Sequence, residues 1–253
     1  MESTNNVILY DISLLDVTLG QLKLNNKLIK QFFEGNEINV FTYGSLSLNE
    51  VSKIADKCNE PVPGIFGKGK ALNCRRIYCN SKSGAKSQQD KAIGINSVIV
   101  KSPHIERSQN NLTSKNDEMI GGVATLVKDN EDHVLGTVYT FNPSKNMLTF
   151  KQIMMREGLH ITNSKYIPII KTIKMQSNND AVCCDKEVLI FVMPQTKLDD
   201  QEFKLARCPT ERYKKLVLEQ LNQSGWKKIG GKPFMDLPST GEDYGLLYNR
   251  IAY

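Results

Sequence analysis

The sequence holds little that marks a metal, redox or nucleotide site. It has only three histidines, His104, His133 and His160, none at a paired-ligand spacing. The six cysteines, Cys58, Cys74, Cys79, Cys183, Cys184 and Cys208, include no CxxC pair. A structural zinc site is therefore not expected, and reduced, inert thiols in a cytoplasmic chain are. The longest apolar run is Val188-Leu189-Ile190-Phe191-Val192-Met193, far short of the about 20 residues that cross a bilayer as a helix. Met1-Glu2-Ser3-Thr4-Asn5-Asn6 puts no basic region ahead of an apolar stretch, so no secretory signal is recognisable. Gly67-Lys68-Gly69-Lys70 fails the GxxxxGK[ST] pattern and leads into a strand, which makes it read as a basic surface turn. Ser45 lies in Tyr-Gly-Ser-Leu, outside any GxSxG nucleophile turn and with no marked histidine partner. No internal repeat is present.

What is there is ordinary globular composition. The chain has 253 residues, 40% hydrophobic and 24% charged, which fits one large domain or one domain with additions. A formal net charge of +6 favours an anionic partner over a cationic one without requiring nucleic acid.

Residues 1–36 read as an N-terminal extension. Val7-Ile8-Leu9-Tyr10 has the form of a short strand, followed by a helical rhythm interrupted at Gly20 and stopped at Gly35. Ile38 to Tyr43 is a strand that runs into Gly44-Ser45-Leu46. A short helix then places Leu48, Val51, Ile54 and Ala55 on one face, with Ser47 as its N-cap. Pro61 to Gly64 is loop and Ala71 to Cys79 a strand. Residues 80–118 form a polar insertion with one strand, 92–101, inside it. Gly122–Val127 and Val134–Phe141 suggest a hairpin turning at Lys128–His133. A helix opens at Asn142 and Pro143 and ends at Gly158. Residues 165–175 and 187–193 are strands. A last helix begins at Pro209 and stops at Gly225, leaving 226–253 as a C-terminal tail. The elements do not alternate strand–helix–strand. The expected class is therefore α+β, a small mixed sheet or barrel flanked by helices.

Two features could carry chemistry. Glu157 falls in the last turn of the helix that starts at Asn142, where the negative end of the helix dipole disfavours its charge. Partial burial would add to that and make a stronger general base. Taken alone, a solvated glutamate that tolerates its position reads at least as well. The turn Tyr43-Gly44-Ser45-Leu46 exposes backbone N–H groups at a helix start and could cradle a carboxylate or an oxyanion. A plain strand-to-helix connection is the equal alternative.

In order along the chain, these pieces resemble the gamma-glutamylcyclotransferase superfamily. They are Val40-Phe41-Thr42-Tyr43-Gly44-Ser45-Leu46, Cys74-Arg75-Arg76-Ile77-Tyr78-Cys79 and Gly122-Val123-Ala124-Thr125-Leu126-Val127. Val134-Leu135-Gly136-Thr137-Val138-Tyr139 and Arg156-Glu157-Gly158 with Tyr166 follow, then Pro209-Thr210-Glu211-Arg212-Tyr213-Lys214-Lys215. The first half is similar to the ChaC-type branch that degrades glutathione, the second to the branch acting on gamma-glutamyl amino acids. The sequence departs from the ChaC-type pattern at Ser47-Leu48 and in the spacing from Gly158 to Tyr166. The resemblance implies a catalytic domain over residues 37–225. In it, Glu157 is the catalytic residue, and Tyr43, Gly44, Ser45, Leu46, Tyr166 and Tyr213 bind substrate.

The activity so implied is cyclisation of a small gamma-glutamyl amide to 5-oxoproline with release of an amine. The amide would be glutathione, a gamma-glutamyl amino acid or a gamma-glutamylamine. No cofactor and no metal is required, and a monomer or homodimer suffices. Two other readings stand beside it. The same chemistry could act on a gamma-glutamylated protein or carrier through the 80–118 insertion. Alternatively, Lys68, Lys70, Arg75 and Arg76 could serve a non-catalytic module for an anionic partner. Neither nucleic acid nor membrane is the expected partner.

Overall fold

The computed structural model describes residues 9–44, 46–80, 105–107, 118–120, 122–160, 166–176, 182–193 and 219–222. Among these residues, four helices, α1 (Ser13–Asn25), α2 (Lys27–Phe33), α3 (Leu48–Lys57) and α4 (Pro143–Arg156), accompany seven strands. The strands are β1 (Ile38–Thr42), β2 (Gly64–Asn80), β3 (Ile105–Arg107), β4 (Glu118–Ile120), β5 (Gly122–Phe141), β6 (Ile167–Gln176) and β7 (Val182–Val192). Residues 219–222 are helical. Five strands close a barrel in the order β1-β5-β2-β6-β7, and β3 pairs with β4 in a separate two-stranded sheet. The barrel is closed by a parallel contact, Val40 opposite Leu189. Its other pairings are antiparallel. The class is α+β with a mixed barrel, as the element order implied.

Strand alternation sorts the barrel side chains into two layers. Phe41, Tyr43, Val138, Ile173, Val188 and Ile190 belong to one cluster in the barrel. Ile38, Val40, Tyr139, Phe141, Leu189 and Phe191 face the other way and join residues of all four helices in a second cluster. Gly69 and Gly136 sit opposite each other on β2 and β5. A Cβ on Gly69 would meet the Phe41 ring at 3.0 Å, and one on Gly136 would meet it at 2.6 Å. The glycines leave the room that this ring occupies.

Several sequence expectations are corrected. Leu9 and Tyr10 lie outside any strand. Gly20 is inside α1, whose 13 residues run on to Asn25. The break falls at Asn26, which is extended and whose Oδ1 accepts from the N–H groups of Leu28 and Ile29, capping α2. Gly67–Lys70 is part of β2 and is no surface turn, since Lys68 is only 4% exposed. Residues 122–141 form no hairpin: both halves pair with β2, so the chain does not reverse. The polar stretch that suggested a turn bulges out instead. Leu72 pairs with His133 and Cys74 with Lys128, so residues 129–132 stand opposite Asn73 alone. Asn73 has a positive φ of 56° there. The polar stretch 102–118 contains β3 and the first residue of β4. The expected strand at 92–101 and the start of the last helix at Pro209 lie outside the described residues. Among the described residues, no helix is long and apolar enough to cross a membrane.

Candidate active site

The site is organised by the pair α3 and α4. Ser47 Oγ caps α3 by accepting from Glu50 N–H at 3.4 Å. Asn142 Oδ1 caps α4 by accepting from Ser144 N–H at 3.0 Å. The helix is then kinked at Asn146, where φ is −131°, and the kink frees the N–H groups that follow. Glu60 takes them: its carboxylate accepts from Leu148 N–H at 2.9 Å and from Thr149 N–H at 2.7 Å. At the other end, Arg156 Nη1 donates to Glu50 Oε2 at 3.0 Å. Glu50 is in the first turn of α3 and Glu60 lies just past its end. These two ties make the helices antiparallel. The start of α3, which the Tyr43–Leu46 turn feeds, therefore lies beside the end of α4.

Glu157 stands at that end as the residue closing α4, half-buried, with φ −75° and ψ 0°. Gly158 follows at φ +84°. Its N–H donates to Met155 O at 2.9 Å, and Leu159 N–H donates to Met154 O at 3.1 Å. This double closure satisfies the last carbonyls and fixes where the Glu157 side chain leaves the helix.

The turn is anchored from behind. Tyr43 is buried, and its hydroxyl donates to Phe191 O at 2.6 Å. Thr42, one residue earlier, accepts at its carbonyl from Gln220 Nε2 at 2.9 Å, and at its hydroxyl from the same amide. Glu219 accepts from Asn49 Nδ2 at 2.7 Å, so the 219–222 segment braces both β1 and α3. Gly44 is half-buried and Leu46 buried. Tyr166 immediately precedes β6, one residue short of the strand in which it was expected. Its hydroxyl donates to Ala124 O at 2.8 Å. Both tyrosine hydroxyls thus donate to backbone. Leu46, Tyr166 and the neighbours of Glu157, Met155 and Leu159, share one hydrophobic cluster. Ser45 and Tyr213 lie outside the described residues.

Four neighbours escaped the sequence reading. Gln220 and Gln152 are buried polar residues on helices read only for their apolar faces. Tyr10, held by Gln152 of α4, and His160, three residues past Glu157, stand at the same helix, and their spacing carries no motif. A nucleophilic thiol is disfavoured at Cys58 and Cys74, since burial pushes both thiols up. Of the basic run, Lys68 is buried, Arg75 pairs with Asp132 at 3.3 Å, and Lys70 and Arg76 are half-buried.

The fold is an α+β closed barrel in which the end of α4, closed by Glu157, lies at the same end of the helix pair as the start of α3. Solved structures similar to the chain include gamma-glutamyl cyclotransferases. One, described as gamma-glutamyl cyclotransferase, has a TM-score of 0.46 and 17% identity, covering 86% of this chain and 89% of that one. A second, specific to glutathione and from yeast, has a TM-score of 0.41 and 10% identity, covering 86% and 97%. An uncharacterized protein from Homo sapiens is similar at a TM-score of 0.46 and 18% identity, covering 85% and 88%. At these values the likeness is one of fold. No protein-family model matches the chain, and no curated protein matches it in sequence.

Proposed function

We propose that this protein is a gamma-glutamylcyclotransferase-type enzyme that cyclises a gamma-glutamyl amide to 5-oxoproline. The observation that supports it is the antiparallel α3–α4 pair, tied by Glu60 and by Glu50–Arg156, which puts Glu157 at the same end as the Tyr43–Leu46 turn. The substrate's α-amine attacks its own γ-carbonyl carbon, so the new C–N bond closes a five-membered ring. Because the nucleophile is already tethered, most of the entropy of bringing it to the carbonyl is avoided. Glu157 takes a proton from the amine nitrogen. As the amide C–N bond breaks, it returns that proton to the departing nitrogen. Backbone N–H groups of the turn hold the substrate's carboxylate or the oxyanion.

The test is 5-oxoproline release from glutathione, γ-Glu-Ala and γ-glutamyl-ε-lysine. Glu157→Gln is expected to lower kcat by roughly 10²-fold or more with the fold intact, as for a general acid–base. A Gln variant as active as the parent chain sinks the assignment of Glu157.

A further inference from the structure

One neighbour of Glu157 comes from outside the elements that carry the motifs. Tyr10 precedes α1, and its peptide is gripped from both sides by Gln152 of α4. Tyr10 N–H donates to Gln152 Oε1 at 2.7 Å, and Gln152 Nε2 donates to Tyr10 O at 2.9 Å. Gln152 is 4% exposed, so this clamp is shielded from competing water. It holds the Tyr10 backbone whatever side chain stands there. The Tyr10 ring then lies 5.8 Å from the His160 ring, with the planes tilted by 44°, a spacing typical of interacting rings. His160 is three residues past Glu157 in the turn that closes α4. Both residues are half-buried.

The pair is uncharged. Burial is the main cause holding the Tyr10 phenol protonated; the Glu157 charge adds to it and Arg156 opposes it. Burial also pushes the His160 imidazole toward its neutral form, against the Met155 carbonyl. Among the described residues, the nearby charges include Arg156, engaged by Glu50 of α3, and exposed Asp11. Past the end of α4, three residues beyond Glu157, two neutral rings stand together, one of them delivered by the N-terminal segment.

We infer that Tyr10 and His160 form the subsite for the group carried on the amide nitrogen of the substrate. This rests on the cyclotransferase reading. The carboxylate that takes the amine proton must return it to the departing nitrogen, so the leaving group starts against Glu157. Side chains flanking Glu157 outside the γ-glutamyl cradle then face that group. Two neutral rings suit an amine bearing an apolar or aromatic side chain, with ring-on-ring contact as the selective element.

The experiment compares γ-Glu-Phe with γ-Glu-Gly on the parent chain, Tyr10→Ala and Tyr10→Phe. Tyr10→Ala is expected to lower kcat/KM for γ-Glu-Phe by roughly tenfold, mostly through KM, the upper end of what one aromatic contact gives. The γ-Glu-Gly value should change less than about twofold, and Tyr10→Phe should keep most of the preference. An equal loss on both substrates, or none on either, overturns the subsite. A second arm needs no turnover: calorimetric binding of γ-Glu-Phe to Glu157→Gln, with and without Tyr10→Ala. Binding about tenfold weaker in the double variant supports the subsite. Absent binding, or binding indifferent to Tyr10, overturns it. Failure of the cyclotransferase reading shows separately, as no 5-oxoproline from any substrate.

Discussion

Glu157 owes its place to the residues on either side of it. Gly158 adopts the left-handed conformation that lets the helix end there, and Arg156 ties that end to α3. The Arg156 and Glu50 side chains are 20% and 18% exposed, too covered to count as a surface pair worth almost nothing. A hydrogen bond to a charged group of this kind contributes roughly 1.5–3 kcal/mol. Arg156→Met is therefore expected to lower stability by about that much. Activity should fall further than stability explains, because α4 loses its tie to the helix that follows the turn. A double-mutant cycle with Glu50→Gln checks this: the two losses should be non-additive, and additive losses would remove the tie from the account. The Glu157 side of this was legible in sequence, since an acidic residue before Gly158 is conspicuous against the helix dipole. The Arg156–Glu50 tie was not, because nothing in the spacing of residues 50 and 156 says that the two helices run antiparallel.

At the scale of elements, the sequence reveals which residues make strands more readily than which strands pair. The hydrophobic stretches at 122–127 and 134–141 were both legible. Joining them as a hairpin was the natural inference from the polar stretch between, yet both halves pair with β2. A bulge and a turn use the same residue types, and only the long-range partner tells them apart. The Gly69 and Gly136 pairing has the same character. Gly67-Lys68-Gly69-Lys70 looked like a feature of the surface, whereas Gly69 makes room for a phenylalanine inside a barrel. Gly136 is the more demanding of the two, since a Cβ there would stand 2.3 Å from the Thr42 carbonyl oxygen. Backbone cannot rotate away as a side chain can. Gly136→Ala should cost about 1–3 kcal/mol, the range for overpacking a well-filled site. It should also lower activity, because Thr42 leads directly into the Tyr43–Leu46 turn. Denaturant unfolding with a parallel 5-oxoproline assay reads both. Unchanged stability would mean that β1 can yield there.

For the molecule as a whole, two sizeable segments flank or interrupt the core, and their positions in the fold give them opposite weight. The segment 1–36 supplies α1 and α2, whose Leu15, Ile29 and Phe32 are fully buried. Phe32 packs against Phe150 of α4 with ring centroids 4.5 Å apart and the planes tilted. At roughly 1.5–3 kcal/mol for each fully buried side chain, these three contribute about 5–9 kcal/mol. That is as large as the whole net stability of many domains, about 5–15 kcal/mol. The segment 81–121 joins β2 to β5 at a point where Asn80 and Gly122 are already paired. Its described strands β3 and β4 pair with each other and not with the barrel. Deleting residues 1–36 should therefore abolish the cooperative unfolding transition and the near-ultraviolet dichroism of the packed aromatics. Replacing residues 81–121 by Asn-Gly, which closes a tight hairpin between strands already in register, should leave that transition near its original midpoint. The measurement is the same denaturant titration on both variants and the parent chain. A cooperative transition at the parental midpoint after loss of 1–36 would show that α1 and α2 only cover a barrel stable without them. Tyr10, carried on the same segment, would then be the sole reason for the site to need it.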